Sequence, residues 1–174
     1  MSKRYIAIAI ICCLVLALCV GGAVAYMFKL SNESENGFKG PNVSCKLLES
    51  FDGEKKSSVT VKNTSEIEVY VRVRLVTYWV DESGNIVTSQ SSPELGIVYD
   101  ANWVKGENNT YYYKSAVAPG STSSNLLAQP YAVSTDGNKK QVVEVFAEAI
   151  QANPEKAAEE SWGVQVSGGQ ITVN

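Results

Sequence analysis

The residue types that carry out most enzyme chemistry are scarce in this chain. Histidine is absent from all 174 residues, which removes the commonest general base and the usual nitrogen ligand of zinc. No Gly-x-Ser-x-Gly motif presents a nucleophilic serine. Lys114 and Ser115 are adjacent, and on a strand they would point to opposite faces. We therefore expect a protein that is not an enzyme and uses no metal or cofactor.

Cysteine usage also limits the redox chemistry. Three of the four cysteines, Cys12, Cys13 and Cys19, lie inside an apolar N-terminal run, and only Cys45 follows it. A lone thiol in an oxidising compartment is either buried as a small core residue or paired between chains, and burial is the commoner case. The sequence therefore predicts a domain that is stabilised by its core, without internal disulfides.

Charged residues recur on one face of two predicted strands. Arg72 and Arg74 share a face of one strand, and Glu144 and Glu148 share a face of another. A ligand or calcium site between them is one interpretation. The simpler one is a cross-strand ladder of ion pairs on a solvated face, with each pair contributing about 0.2–1 kcal/mol. Similarly, Asp81, Glu82 and Asn85 offer oxygen ligands for calcium, but short acidic hairpin loops are mostly turns.

A run of tyrosines is a candidate aromatic contact surface for a glycan or a protein partner. It consists of Tyr111, Tyr112 and Tyr113, with Tyr99 and Trp103 close by in the sequence. Because a strand alternates its faces, Tyr112 points away from the other two, so at least one of the three is expected to reach solvent. The alternative, which we favour, is core packing with one exposed edge.

Alternation of apolar and polar residues predicts the elements that position these side chains. Residues 67–79 keep a period of two through thirteen positions, which predicts a long strand with one buried face. Residues 141–151 repeat the pattern with small alanines. Turn residues separate shorter strands and extended segments, predicted at 45–51, 58–62, 102–105, 111–114, 122–127 and 131–134.

The C-terminal part contains the only predicted helix. Asn153 is the expected N-cap, Pro154 the first helical residue and Gly163 the terminator, and residues 164–173 suggest a last hairpin around Gly168 and Gly169. About eight short strands with regular turn signals favour an all-β fold. We expect residues 44–174 to form an antiparallel β-sandwich, of jelly-roll or immunoglobulin-like type, with one short helix.

The first 25 residues have the composition of a signal peptide. Lys3 and Arg4 precede an uncharged run over 5–28, and Ala23 and Ala25 form the small-x-small pattern of a cleavage site before Tyr26. The alternative is a retained transmembrane helix, because the run is long enough to cross a bilayer. From Tyr26 onward the chain has 13 basic and 18 acidic residues, hence a charge of −5, which disfavours nucleic-acid binding.

Two segments near the N-terminus form a recognisable pattern. They are Gly21-Gly22-Ala23-Val24-Ala25-Tyr26 and then Asn36-Gly37-Phe38-Lys39-Gly40-Pro41-Asn42-Val43. This signal region resembles that of SipW-dependent exported proteins of Gram-positive bacteria. Later segments, in order along the chain, extend the resemblance to the TasA and camelysin group. They are Val61-Lys62-Asn63-Thr64-Ser65 leading into Val71-Arg72-Val73, Tyr111-Tyr112-Tyr113-Lys114 with Ala118-Pro119-Gly120, and Val142-Val143-Glu144-Val145 continuing to Glu148-Ala149-Ile150-Gln151-Ala152.

The resemblance implies a jelly-roll-like domain at the cell surface or in the biofilm matrix, where members form fibres by donating an N-terminal strand to a neighbour. The corresponding donor here is 26–43, with the apolar anchors Tyr26, Met27, Phe28, Leu30 and Phe38. Strand addition pairs the backbone groups of an exposed sheet edge. A flexible linker between membrane and domain is the alternative interpretation of this segment.

These observations lead to one expected function and one alternative. We expect an exported structural protein of the cell surface or extracellular matrix, membrane-anchored if the leader is retained. Its expected partners are further copies of itself or another matrix protein, the signal peptidase, and the membrane transiently through the leader. The alternative is a monomeric exported module that binds a glycan or a protein.

Overall fold

The computed structural model describes residues 42–173, which are mostly β with one short helix. In chain order the elements are β1 (Cys45–Phe51), β2 (Lys55–Asn63), β3 (Val69–Val80), β4 (Trp103–Lys105), β5 (Thr110–Tyr113), β6 (Tyr131–Ala132), β7 (Thr135–Asp136), β8 (Lys139–Gln151), α1 (Lys156–Trp162), β9 (Gln165–Ser167) and β10 (Gln170–Thr172). The leader, its cleavage site and most of the candidate donor segment lie outside the described residues. Within 42–173, no helix is both long and apolar enough to span a membrane.

The larger sheet has five antiparallel strands in the order β4-β5-β3-β8-β7. Its centre is the long pair of β3 and β8, which runs in register from Val69 opposite Gln151 to Val80 opposite Lys140. Both strands were predicted from their period of two and are confirmed. β3 begins two residues later than predicted, at Val69, because the chain bends at 65–67.

The smaller sheet has the order β1-β2-β6 and is extended by irregular segments. On the far side of β2 from β1, Ser123 N donates to Val61 O at 2.9 Å and Leu126 N to Val59 O at 2.8 Å. A further segment joins there, since Asp100 N donates to Leu126 O at 2.8 Å. The predicted extended segment 122–127 therefore lies beside β2.

Both sheets pack on one hydrophobic core, and together they form a curled half-barrel. Alternate residues of β3 enter this core, because strand side chains at i and i+2 share a face. The fully enclosed side chains include Val59 and Val61 from β2, Val71 and Val73 from β3, and Leu126. Trp103 and Tyr111 add large aromatic area from the edge of the five-stranded sheet.

The other face of the five-stranded sheet is covered over part of its area by a second apolar cluster. There α1 and the β9–β10 hairpin pack over Tyr70 and Tyr112. The Trp162 ring lies 5.8 Å from the Tyr112 ring, and the Arg72 guanidinium lies 4.8 Å from the centre of the Trp162 ring. Toward the opposite end of β3, side chains on this face remain partly exposed.

The prediction for the start of the helix was wrong. The helix begins at Lys156, its N-cap is Glu155, and no side chain caps it. Residues 152–155 instead turn the chain from β8 onto the sheet face, through a cis peptide between Asn153 and Pro154. The predicted end is confirmed, because Gly163 has the left-handed φ of 67° and donates its N–H to Glu159 O. The tail hairpin is also confirmed.

Candidate functional site at the open seam

Two edge strands, one from each sheet, lie side by side in the half-barrel. β1 ends the smaller sheet, and β8 is the last long strand of the larger one, since β7 pairs only with Lys139 and Lys140. β1 and β8 lie beside each other, and we call the space along these two edges the seam. Cys45 lies near Glu148, whereas Phe51 and Val142 line one cavity. The two edges therefore run in opposite directions.

Every second residue of β8 directs its backbone N–H and C=O into the seam. Val69 exchanges both of its backbone hydrogen bonds with Val117, so its N–H and C=O point away from Gln151, the β8 residue opposite it. Val69 and Gln151 are therefore a non-hydrogen-bonded pair. The even-numbered residues of β8 therefore bond to β3, and the odd-numbered ones face outward. Gln141 N donates outward to Ser134 O at 2.8 Å. Within 42–173, no backbone partner faces the next outward residues, Val143, Val145, Ala147 and Ala149.

The same reasoning applies to β1. The odd-numbered residues of β2 bond to the segment around 121–126, so its even-numbered residues bond to β1. Their partners include Lys46 and Leu48, and the backbone groups of Cys45, Leu47 and Glu49 are left facing the seam. Among the described residues these groups also have no backbone partner. Two free strand edges thus border the same opening.

The side chains along the seam are small and apolar. Cys45 and Leu47 from β1, and Val145, Ala147 and Ala149 from β8, pack on the shared core but remain partly exposed. By contrast, the β3 side chains on the same core are fully enclosed. The core is therefore less well covered at the seam than at the centre of the sheet.

One end of the seam widens into a cavity of about 290 Å³ between Phe51 and Val143. Lys56 is buried at its wall, where Nζ donates to Glu49 Oε2 at 2.7 Å and lies 5.4 Å from the centre of the Phe51 ring. Gln141, also buried, is held by hydrogen bonds to Thr77, Tyr131 and Ser134. The cavity therefore has a fixed polar wall, while the Phe51 ring is about half exposed.

Cys45 lies on this seam and is half-buried, with no disulfide partner among residues 42–173. Burial raises the pKa of its thiol, and the nearby Glu148 carboxylate raises it further. Both effects disfavour the thiolate, which is the reactive form. The burial that we favoured is thus only partial, and the side chain packs against the shared core without being enclosed by it.

The charged residues form one ion pair of the predicted ladder. Arg72 lies opposite Glu148, and its Nη2 is 2.6 Å from Oε2. Arg74 instead lies opposite Phe146, 5.8 Å from the ring centre. Glu144 accepts a hydrogen bond from the Tyr78 hydroxyl at 2.7 Å. The predicted second pair is absent because the register places an aromatic ring, and not a carboxylate, opposite Arg74.

The acidic turn uses its carboxylate internally. Asp81 Oδ1 accepts the backbone N–H groups of Ser83 and Asn85, and Oδ2 accepts the Asn85 side-chain amide. These hydrogen bonds, that of the Asn85 backbone first, lower the pKa of Asp81. Within 42–173, no group of three or more acidic, cysteine or histidine side chains is placed to hold a metal ion. The turn interpretation accounts for this loop.

The three tyrosines do not form a common surface. Tyr111 is buried in the shared core beside Tyr99, with the two ring centres 5.5 Å apart. Tyr112 is buried on the opposite face beneath Trp162. Tyr113 is half-buried against Trp103. Strand alternation places Tyr112 on the face opposite Tyr111 and Tyr113, and all three pack in apolar clusters with only Tyr113 partly exposed, which agrees with the core packing that we favoured. The seam and the aromatic pair Tyr78 and Phe146 were not singled out from sequence, because their positions depend on long-range strand pairing.

The remaining predicted site residues are Ala23, Ala25, Tyr26, Met27, Phe28, Leu30 and Phe38, and they lie outside the described residues. Comparisons of the chain with protein-family models, with curated proteins and with solved structures gave no match.

Proposed function

We propose that this chain is an exported structural protein of the cell surface or extracellular matrix, which assembles by accepting a strand from a neighbouring copy. The observation that carries the proposal is the seam. Two antiparallel edges there have backbone groups without a backbone partner in the described part of the chain, over at least three outward-facing residues each, beside a core that small side chains cover only in part. Exposed edges of this kind favour pairing with another chain.

The geometry of the seam defines how a strand would bind. It would pair with the outward groups of Val143 to Ala149, or with those of Cys45 to Glu49, or with both. Because the two edges run in opposite directions, a strand between them is antiparallel to one and parallel to the other. Some Cα atoms of β1 and β8 lie within 8 Å of each other, and a strand paired with both needs about 9.5 Å. Binding to both edges therefore requires the seam to widen.

The proposed donor is segment 26–43. It carries the five apolar anchors Tyr26, Met27, Phe28, Leu30 and Phe38, and large side chains of this kind complement a seam lined by Ala147 and Ala149. Burying one such side chain contributes about 1.5–3 kcal/mol. The described chain enters β1 directly from Asn42, so the donor is joined to one edge of its own seam, and a neighbouring copy presents an identical seam.

The sandwich architecture belongs to the same proposal. The two sheets share one core, and a strand added antiparallel to one edge of the seam would extend that sheet in an antiparallel β-sandwich of jelly-roll or immunoglobulin-like type. Membership of the TasA and camelysin group rests on the sequence resemblance. Export rests on the leader, with removal of residues 1–25 by signal peptidase, or retention of the leader as an anchor. The absence of histidine and of a serine-nucleophile motif supports a non-enzymatic role.

The second candidate function is a monomeric exported module that binds a glycan or a protein. It is favoured by one observation, the partly exposed aromatic and charged face around Tyr78 and Phe146.

Deletion of the donor segment tests the leading proposal. The mature chain 26–174 and the truncated chain 44–174 are compared by electron microscopy and size-exclusion chromatography, with circular dichroism to establish that each is folded. We expect polymers from the longer chain and folded monomers from the shorter one. A peptide with the sequence of 26–43 is expected to bind the truncated chain, whereas a scrambled peptide is not. Equal polymerisation of both chains would contradict strand donation.

A further inference from the structure

Part of the outer face of the five-stranded sheet is left uncovered by α1 and the C-terminal hairpin. It is formed by Arg74, Val76 and Tyr78 on β3 and by Glu144 and Phe146 on β8. Phe146 has 44% of its surface exposed, which is unusual for phenylalanine in the middle of a long strand. This face points away from the shared core and is separate from the seam-facing side chains of β8.

Arg74 and Glu144 are the charged groups on this face that lack an ionic partner within the described residues, and Arg74 is the only cation of the two. Glu148 is already bound by Arg72 through two nitrogens, and Glu144 accepts a hydrogen bond from Tyr78. Arg74 is exposed, and its guanidinium lies near the Phe146 ring without being neutralised. A planar fork of donors is therefore available to an external carboxylate.

The two aromatic rings give this face a second kind of contact. Tyr78 lies four residues from Arg74 along β3, and Phe146 lies opposite Arg74, so the two rings are about 13 Å apart along the strand direction. Flat aromatic surfaces beside hydrogen-bonding groups suit the apolar faces and hydroxyl groups of sugar rings. The separation requires a ligand of several sugar units.

Charge restricts the ligand further. The chain from Tyr26 onward carries −5, so a densely charged polyanion is repelled at long range. A polymer in which neutral sugars separate the carboxylates avoids most of this repulsion and still offers one carboxylate to Arg74. Nucleic acid and polyglutamate, which carry a charge on every unit, do not meet this condition.

We propose that this face binds an acidic polysaccharide with spaced carboxylates, and that Phe146 and Tyr78 stack on sugar rings while Arg74 binds a carboxylate. The site does not use the seam, so the polysaccharide can bind to the monomer and to the assembled protein.

Hyaluronan, in which every second sugar carries a carboxylate, is a suitable probe. Binding of the mature chain is measured by isothermal titration calorimetry. Phe146→Ala and Arg74→Gln are each expected to weaken binding about tenfold or more, a change of about 1.4 kcal/mol, and Arg74→Lys by less. The control Val98→Ser replaces a residue that is similarly exposed but lies outside this face, and it is expected to bind like the wild type. Thermal unfolding establishes that each variant is folded.

Two further polymers separate the chemical contributions. Neutral dextran is expected to bind much more weakly than hyaluronan, and polyglutamate not to compete. The proposal is overturned if the wild type does not bind hyaluronan, if Phe146→Ala and Arg74→Gln bind it as well as the wild type, or if polyglutamate competes as well as hyaluronan does. A seam variant such as Ala147→Pro is expected to keep full hyaluronan binding, which separates this site from the proposed assembly.

Discussion

The two edges of the five-stranded sheet differ in how the chain covers them. At the β4 edge, the segment before the strand turns into the smaller sheet, where Asp100 N bonds to Leu126 O, and Trp103 is buried with its Nε1 bonded to Ser124 O. At the β8 edge, the outward backbone groups of Val143, Val145, Ala147 and Ala149 have no backbone partner among residues 42–173, and the last three of these side chains are partly exposed. Intramolecular packing thus covers the start of the first edge and its large aromatic side chain, whereas the second has both the backbone groups and the apolar surface that an added strand requires.

Blocking the backbone of the seam is expected to have the largest effect. Ala147 directs its N–H outward and not toward β3, so Ala147→Pro removes an edge donor without removing a β3–β8 hydrogen bond. We expect this substitution to abolish polymers of the mature chain in electron microscopy while the domain stays folded.

The matched control for this variant lies on the opposite edge of the same sheet. Lys105 also has an outward N–H, because the residues on either side of it, Val104 and Gly106, are the ones whose backbone groups face β5. Lys105→Pro is expected to leave polymers intact. If both variants polymerise, or if both fail to, the β8 edge has no special role in assembly.

Matched truncations in the core are expected to show a smaller difference between the centre and the seam. Val73 is fully buried at the centre of β3, whereas Val145, its diagonal neighbour on β8, is partly exposed. Removing two methyl groups from a closed site costs about 2 kcal/mol and leaves a cavity. We expect Val73→Ala to lower the unfolding free energy of the monomer by about that amount, and Val145→Ala by less than about 1 kcal/mol. Urea denaturation measures both, and equal losses would mean that the core is closed at the seam.

The smallest expected effect concerns the turn that follows β3. Hydrogen bonds lower the pKa of Asp81 in the folded state, so this group stabilises the fold above its ordinary pKa of 3.8. That contribution is lost as the pH falls through the lower folded-state value. We expect Asp81→Asn to reduce the difference in stability between about pH 7 and about pH 2.5. If the urea midpoints at the two pH values differ by the same amount in the variant and in the wild type, the hydrogen bonds of the turn do not stabilise the Asp81 carboxylate.

Sequence patterning predicted the elements whose formation depends on local alternation. β1, β3, β8 and the tail hairpin follow from periods of two and from turn residues. The helix start was placed too early because Asn153 and Pro154 match a capping pattern, although the chain uses them to change direction. The seam was not predicted, because the bare edge of β8 depends on which strands pair with it. The Arg74–Phe146 contact likewise depends on register, which alternation within a single strand does not specify.

Hydrogen exchange of the β8 amides tests the central claim most directly. In the folded monomer of residues 44–174, the amides of Val145, Ala147 and Ala149 are expected to exchange rapidly, while those of Glu144, Phe146 and Glu148, paired with β3, are protected. In polymers of the mature chain, the first three amides are expected to become protected as well. If they are already protected in the truncated monomer, or remain unprotected in the polymer, the β8 edge of the seam does not accept a donated strand.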